Sequence, residues 1–173
     1  MKTCCVTGHR PKGLPFDYGD KESKEYREYI EAIGRAVRVL IKEGFDTFIT
    51  GMAQGVDMDF AEAVIEEKKR SGVRIEAALP HPGQDKFWDR EIAERYRKIL
   101  SECDKITVVS PGYYSGCMQK RNRYMVDRSY AVVAFWNGIT RGGTYNTLQY
   151  AEKCGKKICI YRLPDRFVDK NGQ

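Results

Sequence analysis

Long apolar runs are missing from this sequence, and with them any stretch able to cross a bilayer as a helix. The opening residues, MKTCCVTGHRP, carry too short an apolar run for a signal peptide and pass straight into a glycine loop. A cytoplasmic protein without membrane contact is therefore expected. Histidine is scarce, at 2 residues, and the 6 cysteines, at positions 4, 5, 103, 117, 154 and 159, form no C-x-x-C pair. Without H-E-x-x-H or clustered thiols, no metal site is expected. Most of the cysteines sit in apolar runs, which predicts buried, reduced thiols rather than disulfides. Walker A and G-x-S-x-G patterns are absent too, which removes P-loop and α/β-hydrolase chemistry. No linker, low-complexity block or internal repeat interrupts the chain.

What remains is about one domain's length, 173 residues, with 42% hydrophobic and 31% charged residues. That is enough chain to bury a substantial core. The formal net charge of +6 favours anionic partners without choosing between a nucleotide and a nucleic acid. Its sharpest local excess is Lys120, Arg121 and Arg123.

The chain turns on residues 45–70. FDTFIT reads as a short strand, GMAQG as a tight turn and the following residues as a helix, with Asp57 expected as its N-cap and Phe60, Ala61, Val64 and Ile65 at helical spacing. A glycine turn feeding a helix start presents oriented N–H groups and a positive dipole end, a natural phosphate cradle. Before it, residues 3–7 read as a strand ending at Gly8-His9-Arg10-Pro11. Residues 21–43 read as an amphipathic helix with Tyr26, Tyr29, Ile30, Ile33, Val37, Leu40 and Ile41 on its apolar face. After it come a strand over 73–79, the loop Pro80–Gln84, a helix over 85–100 with Trp88 near its start, and a strand over 105–110. A basic helix over 118–128, a strand over 131–136, a helix opened by Arg141-Gly142-Gly143-Thr144 and a strand over 157–161 complete the pattern.

Strands alternating with helices predict an α/β, Rossmann-like, doubly wound fold: a mostly parallel sheet of about six strands with helices on both faces. One domain over 1–163 and a polar tail over 164–173 are expected. In such sheets ligands sit beyond the carboxyl ends of the strands. The loops Gly8–Pro11, Gly51–Asp57, Pro80–Gln84 and Arg141–Thr144 all fall there.

Several stretches resemble a known group. TGMAQGVD is similar to the S-G-x-A-x-G-I-D loop of DprA, with Gly51, Ala53, Gly55 and Asp57 matching. Met118, Arg121 and Met125 match the M-H-E-R-K-x-x-M helix of the LOG phosphoribohydrolases, and Gly142-Gly143-Thr144 resembles their P-G-G-x-G-T-x-x-E motif. Together with TGHRP and KFW, these motifs resemble the SLOG superfamily, in its YpsA/YoqJ-like branch of bacterial and phage proteins, over residues 3–161. The resemblance implies a nucleotide-ligand fold. The position of the LOG glutamate holds Gln149 or, with one inserted residue, Tyr150, and neither is an acid. Weak or absent phosphoribohydrolase activity is expected.

Three readings stand at this point. In the first the chain binds or senses a nucleotide-derived ligand, such as an ADP-ribose or NAD derivative. Its expected ligand residues are Gly8, His9, Arg10, Thr50, Gly51, Gln54, Gly55, Asp57, Trp88, Arg121, Asn122, Gly142, Gly143, Thr144 and Asn146. In the second it is a nucleotide-processing enzyme of N-glycosidase type, with Asp57 and Arg121 as catalytic candidates. In the third it holds single-stranded nucleic acid on the basic helix with Tyr113, Tyr114 and Trp88. A homodimer is compatible with each.

Overall fold

The computed structural model describes residues 1–163, and the polar tail expected over 164–173 lies outside the described residues. Six strands form one all-parallel sheet: β1 (Thr3–Gly8), β2 (Thr47–Thr50), β3 (Arg74–Leu79), β4 (Lys105–Val108), β5 (Ala131–Trp136) and β6 (Lys157–Arg162). The helices between them are α1 (Lys24–Lys42), α2 (Val56–Ser71), α3 (Arg90–Glu102), α4 (Cys117–Asp127) and α5 (Gly143–Lys153). A short 3-10 turn, Pro11–Gly13, follows β1.

The strand order is β4-β3-β2-β1-β5-β6. The chain builds outward from β1 on one side as far as β4, then crosses back to place β5 on the other side of β1. Alternate residues of each strand face opposite layers, and the two layers are distinct. Cys4, Val6, Phe48, Ile75, Ala77, Val133 and Phe135 pack with apolar residues of α1, α2 and α3. Cys5, Ile49, Ala78 and Val132 pack against Met125 and Val126 of α4 and Ala151 of α5. The expected parallel, doubly wound sheet is present, and its special loops lie along one edge.

Local chemistry sets the element ends. Ser23 caps α1 by accepting the Tyr26 N–H at 3.2 Å, so that helix begins at Lys24 and not near residue 21. It buries Tyr29, Ile33, Ala36, Val37 and Leu40 against the sheet. Helix α3 begins at Arg90 rather than at 85, because Lys86 and Trp88 donate to Gly83 and Asp85 in successive turns. Trp88 therefore belongs to the turn preceding the helix. Strand β4 ends at Val108, short of the expected 110. It is an edge strand, with Ile106 and Val108 about half exposed. No described helix is long and apolar enough to cross a membrane. None of the cysteines is paired: Cys4, Cys5 and Cys117 are buried and Cys154 is exposed.

Candidate functional site

Three turns meet where the strand order reverses. They follow β1, β2 and β5, the three inner strands around the reversal. His9 ties them together. Its backbone oxygen accepts the Val56 N–H at 3.2 Å, and its Nε2 accepts the Asn137 N–H at 3.2 Å. That acceptor role requires the neutral ring, and burial pushes the His9 pKa below its ordinary value. Gly8 is needed for packing, since a Cβ there would come within 2.5 Å of the Val56 side chain.

The turn after β2 is braced internally. Thr50 Oγ1 donates to the Asp57 backbone oxygen at 2.9 Å and accepts the Met52 N–H at 3.2 Å. Met52 is fully buried with φ 57°, a left-handed geometry that costs about 1–3 kcal/mol for a side chain other than glycine. Gly55, with φ 90°, is the N-cap of α2. Asp57, expected in that position, is the second residue of the helix instead, because the positive φ at the cap suits glycine and not aspartate. Its carboxylate reaches back, and Oδ2 accepts the Ala53 N–H at 3.3 Å.

Arg121 enters from α4. Only 4% exposed, it donates from Nη1 to the Gly51 oxygen and, at 3.4 Å, to the Ala78 oxygen, and from Nε to Asn122 Oδ1 at 2.8 Å. The guanidinium and the Asp57 carboxylate flank Gly51 so closely that a Cβ there would collide with both. Burial pushes the Asp57 carboxyl above its usual range, opposed by the charges of Arg121 and Arg10 and by the Ala53 N–H. Burial likewise pulls Arg121 down, opposed by Asp57. Asp57 and Arg121 line a cavity of about 230 Å³, together with Gly8, His9, Arg10, Asn122, Gly143 and Thr144.

The two helix starts beside this cavity differ. Helix α2 carries Asp57 and Asp59 in its first turn, and its Val56 N–H is already taken by His9. Its positive end is answered by its own chain. Helix α5 begins after Gly142, with φ 88°, and has no acidic residue in its first turn. A Cβ at Gly142 or Gly143 would meet open space. Of the two glycine turns read from the sequence, only the second starts a helix without a carboxylate in its first turn.

A second lobe of about 410 Å³ adjoins the first. Arg10, Ala53 and Met118 line both, and Pro11, Lys12, Gln54, Gln84 and Trp88 complete the second. Trp88 stands edge-on to Tyr96 with ring centroids 5.1 Å apart. Gln84, which the sequence marked only as the end of a loop, donates from Nε2 to the Met52 oxygen at 3.1 Å and the Gly51 oxygen at 3.4 Å. Its Oε1 is buried without a partner among the described residues.

Not every expected ligand residue lines these spaces. Thr50, Gly51 and Gly55 build the turn, and Gly142 sits one residue outside the cavity wall. Asn146 lies instead in a broader, more open groove of about 790 Å³ between α4 and α5, where Gln149 and Tyr150 also lie. The basic run divides: Arg121 points inward while Lys120 and Arg123 are exposed, and Arg123 stacks over Tyr150 at 5.3 Å. Among the described residues no group of three or more histidine, cysteine or carboxylate side chains is placed to hold a metal.

A model of the YspA SLOG family matches residues 4–161. The chain is 37% identical over 141 residues to the uncharacterised SPbeta prophage-derived protein YoqJ of Bacillus subtilis, covering 73% of this chain and 82% of that protein. It is 29% identical over 175 residues to a UPF0398 protein of Oceanobacillus iheyensis, covering 98% and 92%. Among solved structures, DNA processing protein A of Streptococcus pneumoniae superposes with a TM-score of 0.65 at 17% identity, covering 97% of this chain. This chain spans about half, 52%, of that protein's length. DNA processing protein A of Helicobacter pylori, whose structure is described in terms of its single-stranded DNA binding mode, gives 0.63 at 17% identity, covering 95% of this chain and 67% of that one. At that identity the likeness is one of fold.

Proposed function

Because this chain belongs to the YspA SLOG family, we propose that it binds a nucleotide-derived ligand in the cleft between β1 and β5, with the ligand's phosphate on the first turn of α5. One observation carries this reading. The unanswered positive end of α5, at Gly143 and Thr144, faces the same cavity as the buried Arg121. A fixed guanidinium and free backbone N–H groups around one small space suit a phosphate. In this reading the Asp57 carboxylate is the acceptor for ribose hydroxyls. The unpaired cysteines fit a reducing, cytoplasmic setting.

Isothermal calorimetry with ribose 5-phosphate, nucleoside 5′-monophosphates, ADP-ribose and NAD tests the reading. Gly143→Val is the decisive variant, because Gly143 has a negative φ and open space at its Cβ position. The fold should persist while the side chain occupies the phosphate's approach, and affinity should fall at least tenfold. Unchanged binding in a folded Gly143→Val protein would place the anion elsewhere.

A second reading has an observation of its own. Asp57 is held above the ordinary carboxyl range inside the cavity, as a general acid for N-glycosidic cleavage would be. Release of free base from nucleoside monophosphates, lost in Asp57→Asn, would establish it. Binding without turnover supports the sensor reading.

A further inference from the structure

Resting on the nucleotide reading above, we propose that the ligand's base occupies the lobe beside Trp88, with Gln84 Oε1 as the acceptor that reads it. The central cavity, at about 230 Å³, is smaller than the usual small-molecule site of roughly 300–1,000 Å³. A nucleotide anchored there must extend beyond it. The adjoining lobe shares three wall residues, Arg10, Ala53 and Met118, with the cavity and offers about 410 Å³ more. The α4–α5 groove shares Asn122 alone.

The chemistry of the lobe fits a base. Trp88 supplies an aromatic surface, and its turn is held in place by the Trp88 N–H bond to Asp85 and by the ring's contact with Tyr96. Gln84 supplies a polar group of fixed sense. Its amide nitrogen is committed to two backbone oxygens, so the reversed amide would set oxygen against oxygen. Oε1 is thereby held as an acceptor, buried, with no donor among the described residues. Buried acceptors are rarely left unpaired, and those that are commonly mark a missing ligand or water. A ring N–H or exocyclic amine of a base supplies the missing donor, and a sugar phosphate without a base does not.

The same Gln84 bonds hold Gly51 and Met52, in the turn that Arg121 and Asp57 also bond to. Base recognition and the charged cavity thus share one short segment. Gln84 is a specificity-determining residue, and Trp88 is the platform.

The test compares the tightest binder among AMP, GMP, CMP, UMP and ADP-ribose with ribose 5-phosphate, by calorimetry on the full chain. Wild type should prefer the nucleotide by tenfold or more. Trp88→Leu should reduce nucleotide affinity about tenfold, the loss expected for one stacking platform, and leave ribose 5-phosphate unchanged. Gln84→Met, which keeps the volume and removes the acceptor, should lower the nucleotide-to-sugar-phosphate ratio about three- to tenfold, whereas a merely structural effect on the turn would weaken both ligands alike. A nucleotide that binds no better than ribose 5-phosphate overturns this inference and leaves the phosphate site standing. So does a loss on Asn146→Ala with none on Trp88→Leu, which would put the base between α4 and α5. Failure of every ligand, ribose 5-phosphate included, would instead overturn the proposed function.

Discussion

Replacing Arg121 with methionine separates the charge of this side chain from its bulk. Methionine fills the apolar path of the stem through the α4 side of the sheet but removes the guanidinium. Gly51 O loses its closest donor, keeping Gln84 Nε2 at 3.4 Å, and the buried Asp57 loses the cation beside it. A hydrogen bond to a charged group contributes about 1.5–3 kcal/mol, and Arg121 donates several, so a loss of about 3 kcal/mol at pH 7 is expected. In a chain of this size that lowers Tm by about 6–12 °C.

The pH dependence identifies the cause. Burial raises the folded-state pKa of Asp57 above its unfolded value. The native state then binds that proton more tightly than the unfolded state. Its contribution to stability is fully present below the unfolded pKa and is lost as pH rises through the folded pKa. Removing Arg121 raises the folded value further, so the decline continues to higher pH. The deficit of Arg121→Met relative to wild type should therefore be smallest at the ordinary carboxyl pKa and grow over the pH range above it. Each pKa unit of separation adds about 1.4 kcal/mol. Urea denaturation at half-unit pH intervals measures this. Asp57→Asn in the Arg121→Met background should abolish the growth of the deficit. A deficit that stays constant across that range, or that persists with asparagine at 57, would refute the electrostatic account and leave Arg121 as a packing element.

Two further stability outcomes follow from the same region. Gly55→Ala should destabilise by about 2 kcal/mol or more in urea titrations, because φ is 90° and the new Cβ would lie 2.6 Å from the His9 oxygen, a strained conformation in a closed space; near-neutral stability would mean that the turn relaxes freely. Asp59→Ala should lose about 3–5 kcal/mol, because this buried carboxylate accepts from Tyr18 at 2.8 Å, Tyr29 at 2.7 Å and Arg95 at 2.6 Å. A loss under 1 kcal/mol there would show that Arg95 is sustained by Glu62 alone.

Much of this architecture could be read from residue order. The near-continuous apolar run Ala131–Trp136 reads as a buried parallel strand, and β5 is one of the inner strands. The glycines at 51, 55, 142 and 143 marked the turns correctly. What residue order could not carry was direction. Asp57 has the residue type of a helix cap, but a cap is defined by backbone φ, and Gly55 holds that position. Arg121 stands out by its match to the LOG helix motif, but the carbonyls of β3 and of the turn after β2 that hold it inward, while the rest of its basic run is exposed, are distant in sequence. Gln84 gave no local signal, because its role comes from the oxygens of Gly51 and Met52, more than thirty residues earlier. The two glycine turns looked alike in sequence and differ in what already answers them: first-turn carboxylates at α2, none at α5.

The reversal of strand order at β1 has a mechanical consequence. The chain from β1 to β4 lies on one side of a seam, and β5 with β6 is laid down on the other, joined along the Cys4–Gly8 and Ala131–Phe135 pairing. A ligand gripping Asp57 on one side and Thr144 on the other acts as a reversible cross-link between segments far apart in the chain. It opposes partial opening of the seam, a motion that would release β5 and β6 as a unit. Occupancy would then be felt at β6, the outermost strand, through slower exchange of its amide hydrogens, although β6 lines none of the three cavities around the site.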